Sequence, residues 1–269
     1  MADELRNYAD IAKQTAVHIT DRLAEWKTFL AFAGRLYKWP YEDQLLIFAQ
    51  RPDVSVCADL TVWKRMGRDI RRDSKAIILM DTSGAVPLPR YVFDFADTKS
   101  GANARVPWIW QYRDGAHDAA VSAALDEKYG QSGERDMSAR LDETAEHLAR
   151  EYWTYHREEI MEAVPGSFLE DYDDFNVETA FCHAASVSIA YTLLSRCNLE
   201  ADSYFERRDF EHVFEFNTPD VVAALGSAVS ETTEEALRII EGAVKNCERQ
   251  KRAEERRIWN WHTHGRESI

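Results

Sequence analysis

Short strand-like runs bounded by turn residues are confined to one part of this 269-residue chain, between positions 54 and 95. Before and after it, apolar residues recur every three to four positions, the spacing of a helix that buries one face. An island of strand pattern set between helical stretches calls for an α+β arrangement: N-terminal helices packed on a small antiparallel sheet, then an all-helical region. Val54–Ala58, Ala76–Met80 and Arg90–Phe95 read as the strands, the last with Tyr91, Phe93 and Phe95 alternating against Arg90, Val92 and Asp94. Thr82-Ser83-Gly84 is a turn, so the second and third strands are expected to form an antiparallel hairpin. Lys99–Asn103 reads as a loop, and Val106–Tyr112 (VPWIWQY) as either a last strand or an aromatic latch.

The helical parts have clear punctuation. Residues 3–37 carry Leu5, Tyr8, Ile11, Ile19, Leu23, Trp26, Phe29 and Leu30 at helical spacing, with a second helix capped at Thr20 or Asp21. Pro40 closes this run and Pro52 closes the next helix, Tyr41–Gln50, because the residue before proline is held away from helical geometry. From Asp114 onward the expected helices are Ala116–Tyr129, Met137–Val164, Val177–Arg196, Tyr204–Phe216, Thr218–Val229 and Glu231–Arg257. The change of pattern sets a boundary near residue 113, with an α+β domain over 1–113 and an acidic helical domain over 114–269.

Charge follows the same division. Residues 114–244 carry 9 Lys and Arg against 29 Asp and Glu, whereas residues 1–113 carry 17 against 14, in a chain of formal net charge -14. An acidic surface of that density repels nucleic acid and favours basic partners, so the two parts are expected to face different things. Four cysteines without motif spacing read as reduced thiols of a cytoplasmic protein. No run approaches about 20 consecutive apolar residues, so no segment is expected to span a bilayer.

Against this acidic background Trp63–Lys75, WKRMGRDIRRDSK, concentrates six Lys and Arg in thirteen residues. Lys64, Arg65, Arg68, Arg71, Arg72 and Lys75 on one strand edge could neutralise several phosphates, and Trp63, Tyr41 or Tyr91 could stack bases. The competing expectation is a solvated turn whose charges pair with Asp59, Asp69 and Asp73. The acidic run Glu170, Asp171, Asp173 and Asp174 is a candidate surface for a basic partner. It lacks the EF-hand pattern and reads as a loop with a helix cap at Asp174 or Asn176, so no metal or other cofactor is expected. Cys182 and His183 are adjacent in an apolar run and read as packing; His262 and His264 offer at most a weak metal pair. There is no phosphate-binding glycine motif, no HExxH and no GxSxG, so no enzymatic activity is expected.

The run YKWPYEDQLLIFAQRPDVSVCADLTVWKRMGRDIRRDSKAIILMDTSG with PRYVFDFADT, and later FLEDYDDFNVETAF and YFERRDFEHVFEFNTP, resembles the N-terminal region of very large proteins of Firmicutes conjugative elements and phages. In those chains similar regions precede helicase-like or methyltransferase-like modules. The resemblance covers most of residues 8–250. The order helix, Gln-bearing short helix, Trp, basic turn and strand is more distantly similar to the ArdC-type antirestriction N-terminal domain, which binds single-stranded DNA. By position it implies a nucleic-acid site at Gln44, Gln50, Trp63, Arg68, Arg71, Arg72 and Lys75, although Asp73 and Ala76 stand where such turns carry glycine. The function expected is a non-enzymatic single-stranded-DNA-binding module of a mobile genetic element. The alternative is an anti-defence inhibitor, of the anti-restriction or anti-CRISPR kind, that binds a host nuclease through its acidic surface.

Overall fold

The computed structural model describes residues 2–84 and 86–264, with side chains described from Asn7 to Arg257, Ala85 excepted; the side chains of His262 and His264 lie outside that range. Two helices open the chain, α1 (Ala2–Thr20) and α2 (Leu23–Arg35), and a third, α3 (Tyr41–Gln50), starts directly after Pro40. The break between α1 and α2 is made by Arg22, whose backbone is extended, with no side-chain cap. There follow β1 (Cys57–Asp59), α4 (Leu60–Arg65), β2 (Arg68–Ile70), β3 (Ile77–Asp81), β4 (Leu88–Asp94), a 3₁₀ turn (Phe95–Asp97) and β5 (Thr98–Ser100). The rest is helical: α5 (Asp118–Tyr129), α6 (Met137–Ala163), α7 (Asp174–Arg196), the single turn α8 (Ala201–Tyr204), a 3₁₀ stretch (Arg207–Glu215) and α9 (Pro219–His264).

The expected hairpin is β3–β4, antiparallel, with Asp81 opposite Leu88 and Ile77 opposite Val92. β1 adds antiparallel to the other side of β4, giving the order β1-β4-β3. Ile77, Leu79 and Val92 form its inner face and are buried, while Tyr91 on the outer face is exposed. β3 is one of the two edges of this sheet, and Gln50 covers part of it. Its amide donates to the Ile78 carbonyl (2.8 Å) and accepts from the Ile78 N–H (3.0 Å), making the pair of bonds that another strand would make.

The basic stretch differs from the expected loop. Its first part is α4, capped by the Asp59 carboxylate on the Val62 N–H (2.8 Å), and its second is β2, paired with β5, which overlaps the start of the Lys99–Asn103 segment read as a loop. Gly67, at φ +71°, turns the chain between them, and its carbonyl accepts from the Gly101 N–H (3.0 Å). A Cβ at position 101 would stand 2.8 Å from that carbonyl oxygen, so glycine permits the closure. Val106–Tyr112 forms no strand; it is an irregular strap whose Trp110 and Tyr112 are buried, the latch of the two expectations.

The apolar core runs across residue 113. Trp26 of α2 is fully buried and its indole N–H donates to the Ser188 hydroxyl of α7 (3.0 Å). Phe29 and Phe32 of α2 meet Phe48 of α3 edge to face. The boundary near 113 therefore marks a change of architecture, with packing shared across it. By length and composition α7 is apolar enough to cross a bilayer, against the expectation from the sequence; most of that apolar stretch is buried among the other helices. α9 is one helix where two were expected. Thr232 and Thr233 return their hydroxyls to the Ala228 and Val229 carbonyls (2.7 and 2.6 Å), which lets the helix continue through a polar patch.

Candidate functional site

Two features stand out: a cationic rim on the β2–β5 module and an aromatic groove beside it. On the rim, Lys64, Arg65, Arg71, Arg72 and Lys75 are exposed. The β2–β5 pairing adds two cations that the sequence reading did not include, Lys99 opposite Asp69, and Arg105, whose N–H donates to the Met66 carbonyl (2.9 Å). Among the described residues none of these seven cations makes an ion pair. Of the carboxylates expected to pair with them, Asp59 caps α4, and Asp69 and Asp73 are exposed and make no ion pair among the described residues. Arg71 spends one N–H on the Thr98 carbonyl (3.1 Å), which fixes the direction of its side chain.

Several expected site residues are structural. Trp63 is 1% exposed, with its ring against Phe95 and its indole N–H on the Phe93 carbonyl (2.9 Å), so it offers no face to a base. Tyr41 is buried as well. Arg68 is buried under the module, donating to Thr98 Oγ1 (2.6 Å) and Ser100 Oγ (3.2 Å), with its guanidinium 4.3 Å from the Phe95 ring centre. Gln44 is buried and donates to the Trp39 carbonyl (2.8 Å), and Gln50 is spent on the β3 edge. For Trp63 and Arg68 the reason is that strands of three residues recruit a neighbouring indole and arginine stem to build their small core; Tyr41 and Gln44 are taken up by the packing of α3 on α2 and the turn after it. Tyr91 alone of the expected aromatics is open to solvent, 52% exposed.

The groove has a volume of about 930 Å³. Its walls come from the end of α2 and the turn after it (Arg35–Pro40), Asp43 of α3, residues 55–57, Arg90 of β4, the strap from Pro107 to Tyr112, the end of α7 at Arg196, and Glu241 of α9. Trp39, Trp108 and Trp110 all line it, and Trp108 is 45% exposed. Cations lie on these rings: Arg90 5.1 Å from the Trp39 centre, Arg196 3.6 Å from Trp110, and Lys245 5.1 Å from Trp108. Such pairs hold the rings and the charges in fixed relation.

The two carboxylates of the groove are both neutralised. Asp43 pairs with Arg90 (2.5 Å); burial raises its pKa, and Arg90 opposes that rise. Glu241 accepts from Tyr37 Oη (2.6 Å), Lys38 Nζ (2.7 Å) and Lys245 Nζ (2.5 Å). Burial pushes Glu241 up, but the bonds from Lys245, Lys38 and Tyr37 outweigh it and bring the group down to about 2. Tyr37 also accepts from the Trp110 indole (3.2 Å), so the strap is tied through Tyr37 to α9. The Cys57 thiol at the groove wall is pushed by burial up to about 12, which keeps it protonated and unreactive.

The strap joins rim to groove. Arg105 is bonded to α4 and its C-terminal turn at the rim, through Met66 and the Arg65 carbonyl, and Pro107 already lines the groove. Two residues of chain cover at most about 7 Å.

At the acidic run, Asp173 is the cap of α7, accepting from the Asn176 N–H (2.8 Å), where Asp174 or Asn176 was expected. Asp174 pairs with Arg157 of α6, and Glu170 accepts from the Gly166 N–H (3.0 Å). Asp171 is exposed and has no such role among the described residues. Phe168 and Phe175 beside the run are 68% and 73% exposed. No group of three metal-ligating side chains occurs among the described residues. Comparison of the chain with protein-family models, curated proteins and solved structures gives no match.

Proposed function

We propose that this chain is a non-enzymatic module that binds single-stranded nucleic acid, DNA foremost, along a track running from the cationic rim into the aromatic groove. The observation that carries this reading is the strap, which places Arg105 on the rim and Trp108 and Trp110 in the groove within six residues. Phosphates are met by unpaired cations at one end and bases by ring faces at the other. A recessed aromatic surface suits unstacked bases, since a duplex keeps its faces covered. The acidic helices behind the groove disfavour contact over a wider surface, which restricts binding to this track. The residues assigned are Lys64, Arg65, Arg71, Arg72, Lys75, Lys99 and Arg105 for the backbone and Trp39 and Trp108 for bases.

The test is anisotropy of labelled single-stranded DNA, single-stranded RNA and duplex across a salt series. Single strands should bind in preference to duplex, with a slope of log affinity on log salt of roughly -3 to -4 for about five phosphate contacts. Arg71→Glu with Arg72→Glu should remove most of the affinity. Absence of binding at low salt rejects the reading.

A second reading, an anti-defence inhibitor of a basic host nuclease, is favoured by Phe168 and Phe175 lying exposed beside Asp171. Inhibition of such a nuclease should then be lost in Asp171→Lys and in Phe175→Ala. Asp171 is the informative position, because charge reversal at Asp173 or Asp174 also removes a helix cap or an ion pair.

A further inference from the structure

Arg35 and Arg196 are the last residues of α2 and α7, and both line the groove. A cation at a helix C-terminus complements the helix dipole, which accounts for one arginine at each end. It does not account for both lining one cavity. Among the described residues neither makes an ion pair, whereas the other groove cations do: Arg90 has Asp43, and Lys38 has Glu241. Burial lowers the pKa of both guanidinium groups, and at Arg196 it outweighs the attraction of the Glu241 carboxylate.

Each guanidinium is held in place. Arg196 lies 3.6 Å from the Trp110 ring centre and donates to the Trp110 carbonyl (3.0 Å). Arg35 lies 5.6 Å from the Phe32 ring centre and donates to the Pro52 carbonyl (3.2 Å). Gly34 brings them together: a Cβ there would stand 3.3 Å from the Arg196 Cβ and 3.1 Å from the Thr192 carbonyl oxygen. The lack of a side chain at 34 lets the end of α7 lie against the end of α2. Both guanidiniums belong to residues lining one cavity and keep N–H groups free for the oxygens of an oxyanion. Trp39 and Trp108 supply an apolar face in the same cavity, and about 930 Å³ falls within the range of small-ligand sites.

We propose that Arg35 and Arg196 form a phosphate seat, and that the groove takes one nucleotide unit as a discrete ligand, its phosphate on the two arginines and its base on Trp39 or Trp108. The ligand chemistry is an aromatic base joined to a phosphate, whether free as a nucleoside monophosphate or at one position of a strand. The inference rests on the strand-binding reading for the source of that nucleotide.

The experiment titrates the full chain with nucleoside 5′-monophosphates, the matching nucleosides, inorganic phosphate and a single-stranded oligonucleotide, following tryptophan fluorescence and heat. Monophosphates should bind saturably and at least about ten-fold more tightly than either the nucleosides or inorganic phosphate. Arg196→Gln should weaken the monophosphate by about ten-fold or more. Arg35→Gln should do the same, with circular dichroism confirming the fold of both. Equal binding of nucleoside and monophosphate, or wild-type affinity in both folded variants, overturns the seat. Oligonucleotide binding without monophosphate binding also overturns it and leaves the strand reading standing. Monophosphate binding without oligonucleotide binding supports the seat and removes the strand reading.

Discussion

Replacing Glu241 by glutamine tests the electrostatic frame of the groove. The carboxylate accepts from Tyr37 Oη at 2.6 Å, Lys38 Nζ at 2.7 Å and Lys245 Nζ at 2.5 Å. Hydrogen bonds to charged groups contribute about 1.5–3 kcal/mol each when protected from water. The lysines are 44% and 37% exposed and regain solvation when released, so the three contributions do not add in full. Glu241→Gln should therefore cost about 2 kcal/mol near neutral pH. The pH dependence gives an independent estimate. Lowering the group from 4.5 to about 2 corresponds to about 3 kcal/mol before screening and roughly 1–2 kcal/mol after it. Because the folded-state value is the lower one, this contribution is fully present above 4.5 and is lost as pH falls toward about 2. Urea unfolding of both proteins at several pH values measures it, with the slope checked for constancy. The difference between them should shrink from about 2 kcal/mol at neutral pH toward zero at the acid end. Subtracting the variant cancels the other carboxylates of the chain. A difference under about 0.5 kcal/mol at neutral pH, or one unchanged down to pH 3, would refute the account of Glu241 as the ionised anchor of two lysines.

Three further outcomes follow from the same geometry. Trp63→Ala should destabilise the chain by about 3–5 kcal/mol in urea unfolding, whereas Trp63→Phe should fold and keep its oligonucleotide affinity, because the indole is a core group. Gln50→Ala should cost about 1–2 kcal/mol by the same assay and raise self-association in sedimentation, since it uncovers the β3 edge. Gly34→Ala should cost about 1–3 kcal/mol through the contacts with Thr192 and Arg196, and should weaken monophosphate binding by displacing one arginine from the other; thermal melts and titration read the two effects.

The parts of this structure legible in the sequence are those specified by neighbours along the chain. Helix bounds at Pro40 and Pro52 follow from the geometry proline imposes, and the β3–β4 hairpin follows from an apolar run, a Thr-Ser-Gly turn and the alternation of Arg90–Phe95. β2 and β5 have three residues each, too few for a period to register, and their pairing depends on a close approach of Gly67 and Gly101 that no local pattern announces. The same limit explains the misplaced Trp63 and Arg68. A tryptophan beside a basic run has the composition of a binding loop, but whether its face is open depends on Phe95, thirty-two residues away. VPWIWQY shows how far composition reaches: it marks an aromatic latch, yet nothing local says what it latches onto.

The groove could not have been read from spacing at all, because its walls are drawn from seven separated stretches of the chain. What the sequence does contain is a sign of where to look. Arg196 ends an apolar run, and Arg35 follows another, so each is a long cation committed by its helix to the edge of a buried region. The chain places one such cation at the end of each helix, and the bare backbone of Gly34 lets the two helix ends approach, so that both arginines line one cavity. Charge that a fold gathers and leaves unpaired in a cavity has a cost, and it is offset when an anion fills the place. Unpaired cations thus occur twice among the described residues, exposed at the rim and in the groove, and the strap from Arg105 to Trp110 runs from one to the other.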